Sequence, residues 1–449
     1  MTLFASHFRT HWRPMIGAAV FAALLPSATL AADLIMAMEE DPALQQIAAE
    51  YYRERHGVEL DEAYRRLAIQ DRASGIEDEL ERVLGAQYAG IWFDPNDHGR
   101  LKIGMTKAAI PGEKDVRAAL DRLSLSPDSD LVAVRFTEAE LERQVAAMSK
   151  ALSRLLDGGR VTTGYSTQMN RVTLTAVSNL SAEETRQVEQ VGREHGAIVD
   201  RVNVPTLRGQ LQSCGVRKCN KPFRGGREII AYNLGVAHRC TAAFIARHRV
   251  STKWLVMTAG HCLTSANFAS WWSEVEHPMP GEPTYSGRKL GPTDGWVFPG
   301  TDAGVIAIAA GFEQSWLVPP APMPWVVVKG SGQTTYNPEY PIKKDGKSSL
   351  GSIKCITGRD TGTHCGQVVL LGFSGSVEGM GGNSATVHNM GVIAACVGKK
   401  GDSGGPVYKT NTAYGIYLGT LPIGDGCFEV YQGIRGAENA LNVDVQFTP

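Results

Sequence analysis

Two short stretches hold the side chains best suited to chemistry. Thr258-Ala-Gly-His261-Cys262 follows the apolar run Trp254 to Met257, and Gly401-Asp402-Ser403-Gly404-Gly405-Pro406 precedes Val407-Tyr408. An aliphatic hydroxyl is a poor nucleophile at neutral pH and needs an imidazole within hydrogen-bond reach to take its proton. Ser403 and His261 supply that pair. The glycines beside Ser403 allow a tight turn, so that the N–H groups of Gly401 and Ser403 can face a developing oxyanion. A lone histidine is usually a satisfied core residue and a lone Gly-Ser-Gly cluster a turn; the two motifs together predict acyl transfer through a serine.

The elements that must position these groups lie in a chain of 449 residues, long enough for two or three domains. Apolar residues make up 43% and charged residues 20%, an ordinary globular composition. Lys plus Arg (45) nearly cancels Asp plus Glu (46), which argues against a nucleic-acid partner. Arg9 and Arg13 precede an apolar run from Met15 to Leu25, with small residues to Ala31 and Ala32. This is the layout of a signal peptide over residues 1–32, and the run is too short to span a bilayer. The mature protein is therefore expected to be secreted, extracellular or periplasmic, with no membrane anchor.

All eight cysteines lie beyond residue 213, and an even number fits an oxidising compartment. Sequence neighbours suggest Cys214–Cys219, Cys240–Cys262, Cys355–Cys365 and Cys396–Cys427, although eight cysteines allow about 105 connectivities. Neither paired CxxC knuckles nor HExxH occurs, so no metal site or cofactor is expected. From Asp33 to Arg160 the chain is rich in charge and lacks cysteine, with helical stripes at Leu60/Tyr64/Leu67, Ile76/Leu80/Val83 and Leu141/Val145/Met148/Leu152/Leu155. Hairpins are predicted over Tyr88–Thr106 and Val161–Val177, giving an α+β region with a faint internal duplication. Beyond Arg208, short β-branched and aromatic runs between turn residues read as all-β.

These motifs resemble the chymotrypsin-like serine peptidases, in particular the bacterial streptogrisin and α-lytic protease branch. The likeness covers roughly residues 222–445 and rests on the His and Ser motifs, on Pro299-Gly-Thr-Asp302, and on the loop from Cys355 to Gly366. It implies two Greek-key six-stranded β-barrels over 224–449 and a catalytic His261, Asp302 and Ser403. Asp302 also opens the apolar run Ala303–Ile308, a strand-anchored place better suited to orienting an imidazole than its rival Asp294, in a Pro292-Thr-Asp-Gly turn. Ala89-Gly-Ile-Trp-Phe-Asp94 and Asn170-Arg-Val-Thr173 resemble strands of the family's pro-regions. On that likeness residues 33–205 are a chaperone and inhibitor, 206–223 a processing linker holding Cys214 and Cys219, and Arg208, Arg217 and Arg224 candidate cut sites. A permanent binding domain is the alternative for 33–205.

The implied activity is hydrolysis of protein or peptide substrates by a secreted endopeptidase, made as a zymogen and monomeric when mature. Ala395, Leu418, Gly419 and Thr420 fall where the family's substrate pocket lies. With no acid near Ala394 and Ala395, and with Thr420 at the pocket mouth, an uncharged P1 residue of small to medium size is expected. Ile356 stands where the branch has an arginine facing the aspartate before the nucleophile, so Asp402 needs another partner, with Arg359 and Lys400 the candidates. Such departures leave a second class of function, a catalytically weak or inactive trypsin-like domain used for binding. An esterase is a third reading, disfavoured because the strand-turn-helix Gly-x-Ser-x-Gly elbow is absent.

Overall fold

A computed structural model of the chain describes residues 41–106, 112–203, 207–209, 223–233, 236–264, 270–276, 286–309, 325–329, 335–378, 384–423 and 426–448. The expected signal segment and the expected Cys214–Cys219 bridge lie outside them.

The charged N-terminal region begins with α1 (Pro42–His56), α2 (Leu60–Arg72) and α3 (Ile76–Leu84). The Asp41 side chain accepts from the amides of Ala43 and Leu44, both at 3.0 Å, and Pro42 opens the first turn, so α1 starts where an N-cap dictates. Of the predicted stripes, Leu67, Ile76 and Leu80 are buried, whereas Tyr64 is 36% exposed. Next come β1 (Tyr88–Asp94), β2 (Arg100–Thr106), α4 (Glu113–Arg122) and β3 (Ser129–Val134), then α5 (Glu138–Ala151), α6 (Ser153–Asp157), β4 (Val161–Ser166), β5 (Arg171–Val177), α7 (Ala182–Glu194) and β6 (Ile198–Val202).

The duplication is visible in the pairing. In each half a hairpin is followed by a helix and a third strand parallel to the second: β1-β2-β3 and β4-β5-β6. A helix is what a parallel connection requires. Asn170, at φ 48° in the second hairpin turn, ties the halves together: its Oδ1 accepts from the amides of Arg135 (3.0 Å) and Phe136 (2.8 Å), and its Nδ2 donates to Phe136 O (2.7 Å).

The C-terminal region is mostly β, in several sheets. After β7 (Arg208–Gly209) run β8 (Glu228–Asn233), β9 (Val236–Thr241), β10 (Ile245–His248), β11 (Trp254–Thr258), β12 (Trp271–Glu276), β13 (Ser286–Gly291), β14 (Thr293–Val297) and β15 (Ala303–Ala307). These form a sheet β14-β15-β11-β10-β25, completed by β25 (Val443–Val445), and a sheet β13-β12-β8-β9. Further on are β16 (Trp325–Lys329), β17 (Thr335–Pro341), β18 (Lys344–Asp345), β19 (Ile353–Gly358), β20 (Gly362–Glu378), β21 (Ser384–Ala394), β22 (Pro406–Lys409), β23 (Thr412–Ile423), β24 (Gly426–Gly433) and α8 (Ile434–Leu441). The order β19-β22-β23-β24-β21-β20 closes through an added β19–β20 pairing.

The two regions share one sheet. β20 takes β4 on its far side, with Leu371 opposite Tyr165 and Ser374 opposite Thr163, and takes β7 in parallel at Ser376–Val377. A long strand edge that would otherwise be open to pairing with other chains is thereby covered. Of the candidate cut sites, Arg224 is closed off: its side chain is buried and the flanking Gly225 exchanges backbone hydrogen bonds with Trp325 O (3.0 Å) and Val327 N (3.1 Å). Arg208 stands on β7, and Arg217 lies outside the described residues.

A titratable group sits at this junction. Tyr165 donates to Glu138 at 3.1 Å, and burial, aided by Glu142, pushes the Glu138 carboxyl up to about 7. A carboxyl raised in the fold stabilises it below the unfolded value, near 4.5, and that contribution is lost as pH rises through about 7, a change of up to roughly 3 kcal/mol. The thermal midpoint of the full chain should therefore fall between pH 5 and pH 8 by more than in Glu138→Gln. Equal slopes for the two proteins would refute this.

Candidate active site

His261 sits in a single 3₁₀ turn, Gly260–Cys262, directly after β11, and Asp302 directly before β15, the strand paired with β11. Two neighbouring strands thus bring together residues 41 apart. His261 Nδ1 lies 2.6 Å from Asp302 Oδ2, and the His261 backbone amide donates to Asp302 Oδ1 at 2.8 Å. Both side chains are buried, at 1% and 0% exposure. The Asp302 amide in turn donates to Gln432 Oε1 at 3.1 Å, which anchors the acid to β24. Asp294 takes no part; it pairs with Lys253 at 3.1 Å on the surface.

Ser403 lies in the turn before β22 and is held against the His261 turn. Thr241 N donates to Ser403 O (2.8 Å), Thr241 Oγ1 donates to Gly401 O (2.7 Å), and the Cys240–Cys262 disulfide ties β9, which carries Thr241, to the residue after His261. The expected contact between hydroxyl and imidazole is not made. Ser403 Oγ donates to Leu418 O at 2.8 Å, and the buried His261 Nε2 has no hydrogen-bond partner among the described residues. The amides of Gly401 and Ser403 likewise donate to no described residue. Gly401 has φ 104°, and a Cβ there would sit 2.9 Å from Arg359 Nε. Glycine is required both by the backbone and by the guanidinium beside it.

Asp402 is fully buried, and neither candidate cation is what holds it. Its carboxylate accepts from the amides of Asp360 (2.8 Å), Thr361 (3.4 Å) and Lys399 (2.8 Å) and from Thr361 Oγ1 (2.8 Å). Arg359 instead pairs with Glu228 and Asp360. Backbone amides can replace an arginine because several such donors satisfy a buried carboxylate as a cation does. Gly358 permits the approach, since a Cβ there would lie 2.1 Å from Asp402 Oδ1.

A second buried carboxylate holds the other end of the same loop. Glu429, opposite Thr420 on β24, accepts from the amides of Val397 (2.9 Å) and Gly398 (2.8 Å) and from His364 Nε2 (2.8 Å). Burial opposes its ionisation, but His364 and the two amides outweigh burial and hold it below its ordinary value; His364 is raised in turn, because Glu429 outweighs the burial that disfavours imidazolium. Sequence reading missed this pair, as it missed Gln432 and Thr241, because no local pattern links residues 65 apart on β20 and β24. Glu429→Ala should destabilise the fold by roughly 3 to 5 kcal/mol, since it strands a buried His364 and two amides. An unchanged thermal midpoint would contradict that.

The remaining predicted residues frame this loop. Cys396–Cys427 and Cys355–Cys365 are bridged, as is Cys240–Cys262. Leu418, Gly419 and Thr420 lie on β23 where its pairing with β24 is irregular, and Ala395 follows β21. The backbone strand Arg208–Gly209 comes against both β20 and β23.

A family model for the α-lytic protease pro N-terminal segment matches residues 61–119. Streptogrisin-C of Streptomyces griseus is 26% identical over 367 residues, covering 81% of this chain and 66% of that protein, so the chain spans just under two thirds of this relative's length. Solved structures that align include a glutamic-acid-specific serine protease (25% identity, 50% of this chain and 100% of that one, TM-score 0.37) and Protease A of Thermobifida fusca (23%, 50% and 98%, TM-score 0.36). The chain is thus similar to the bacterial streptogrisin-like serine proteases, and its residues 61–119 match the N-terminal segment of the α-lytic protease pro-region.

Proposed function

We propose that the chain is a secreted serine endopeptidase synthesised as a zymogen, with signal peptide 1–32, pro-region 33–205, linker 206–223 and a peptidase domain of two six-stranded barrels over 224–449. The observation that carries the catalytic reading is the grip of Asp302 on His261 through both the ring Nδ1 and the main-chain amide. A buried carboxylate so placed fixes the tautomer with Nε2 free to act as base and stabilises the imidazolium that forms. The closed ring β19 to β24 supports the second barrel, and the two smaller sheets support the first.

In this reading Ser403 Oγ leaves Leu418 O by rotation about its Cα–Cβ bond, between staggered wells, and attacks the scissile carbonyl as His261 Nε2 takes its proton. The amides of Gly401 and Ser403 receive the oxyanion. His261 then protonates the leaving amine, and water repeats the sequence on the acyl-enzyme. No step calls for a metal or cofactor.

The pocket of Ala395, Leu418, Gly419 and Thr420 fits an uncharged P1 side chain. Glu429, opposite Thr420, is an acid beside that wall, yet it is fully buried and its oxygens are engaged by His364, Val397 and Gly398. The tail through Arg208–Gly209 runs beside β23, as a pro-region that inhibits in cis requires. The substrates are proteins or peptides, and the mature enzyme acts as a monomer.

The hydrogen bond from Ser403 Oγ to Leu418 O favours one alternative, a binding domain whose serine is never engaged by its base. A serine-directed organophosphonate distinguishes the two. Labelling at Ser403 in the processed form, absent from Ser403→Ala, supports the peptidase; a processed form that stays unlabelled sinks it.

A further inference from the structure

The halves of the chain are oppositely charged. Residues 33–205 hold 21 Lys and Arg against 30 Asp and Glu, while residues 206–449 hold 22 against 16. The near-neutral total conceals this asymmetry.

Opposite charges from the two parts meet at one contact. Within eleven residues of α2 and α3, Asp71 binds Lys409 at 2.7 Å, Asp78 binds Arg435 at 2.5 and 2.7 Å, and Glu81 binds Lys347 at 2.8 Å. Ser74 joins them through its carbonyl, which accepts from Lys344 at 3.1 Å, and its hydroxyl, 2.9 Å from Tyr414 OH. Lys354 lies under the same segment with its Nζ 3.7 Å from the Tyr414 ring centre. Burial lowers the Lys354 ammonium to about 7. Arg435 draws Asp78 below its ordinary value, as expected of a bidentate pair.

We propose that, once the pro-region is removed, the face formed by Lys347, Lys354, Lys409 and Arg435 is a docking surface for an acidic stretch of a polypeptide substrate. This rests on the zymogen reading. The occupant is argued from what covers the face in the intact chain: a short polypeptide segment presenting three carboxylates about one helical turn or two apart. A surface built to receive that pattern, losing those partners on maturation, selects for the same pattern in another chain. Complementary charge acts mainly on encounter and is screened by salt. None of the four cations bonds to His261, Asp302 or Ser403 among the described residues, so the surface adds affinity without touching the chemistry.

The full-length chain is expressed and allowed to mature. The processed enzyme is then given two protein substrates with the same cleavable sequence, one followed by a tract of alternating Asp, Glu and Ala and one by a neutral tract. At low salt the acidic tract should lower KM by about tenfold with kcat unchanged, and 0.5 M NaCl should erase the difference. Lys347→Glu/Lys409→Glu/Arg435→Glu should lose the preference while cleaving a small peptide normally. If that protein does not mature, Lys347→Gln/Arg435→Gln serves instead. Equal KM for both substrates, or competition by heparin but not by a free acidic peptide, would overturn the proposal. A protein that cleaves neither substrate counts against the peptidase reading and leaves the face to a second measurement, limited proteolysis of the intact chain. Salt should open the α2–α3 junction to a protease there; protection unchanged in 1 M NaCl also overturns it.

Discussion

Replacing Ser403 by alanine is expected to lower peptide turnover by about 10⁴ to 10⁶, and His261→Ala by a similar factor, because the two act as one unit. With the hydroxyl gone, only substrate binding and the amides of Gly401 and Ser403 remain to help water attack the carbonyl. Asp302→Asn should cost about 10⁴ while leaving the fold in place, since an amide offers a donor where the ring Nδ1–H needs an acceptor and so selects the wrong tautomer. The measurement is kcat on a small peptide substrate for purified, processed protein, with circular dichroism to check that each variant is folded. A Ser403→Ala protein within tenfold of wild type would mean that a different nucleophile does the work. The present rotamer of Ser403, donating to Leu418 O, makes this a real test.

Expression of residues 207–449 without the preceding region should yield little or no active protein, and supplying residues 33–206 in trans should restore it by orders of magnitude. The C-terminal sheets are assembled from distant segments: β25 pairs with β10, and β19 with β22. Such non-local pairings close large loops before contacts reward them, so the unaided chain faces a high folding barrier. The N-terminal region offers a ready edge. β4 pairs with β20, the longest strand, and the amide of Gln367 on that strand donates to Tyr51 OH of α1 at 3.2 Å, while Tyr51 OH also reaches Ala394 O at 2.5 Å. A preformed α+β unit that binds β20 and β21 together pins the hairpin on which β24 then adds. Equal yields of active enzyme with and without residues 33–206 would remove the chaperone role.

Along the sequence the proposed P1 pocket lacks an acid near Ala394 and Ala395; in the fold Glu429 lies opposite Thr420, and its carboxylate is engaged by His364 and the amides of Val397 and Gly398. The segment Gly398-Lys399-Lys400 is where the two buried carboxylates meet the loop before Ser403. Glu429 takes the amide of Gly398, and Asp402 takes that of Lys399.

What the sequence by itself determined is what is local. The His and Ser motifs, the strand start at Asp302, both hairpins, most of the helical stripes and the bridged cysteine neighbours each depend on residues close in the chain, where periodicity, turn chemistry and short loop closure act. Only the tertiary structure decided that Gln432 anchors Asp302, that amides rather than Arg359 satisfy Asp402, that His364 and Glu429 hold the loop before Ser403, and that acids of α2 and α3 face three cations, from β22, from α8 and from the segment after β18. These partners are chosen by burial: a charge or amide shut away from water must find whatever complementary group the packing brings near, and packing between distant segments leaves no periodic trace along the chain.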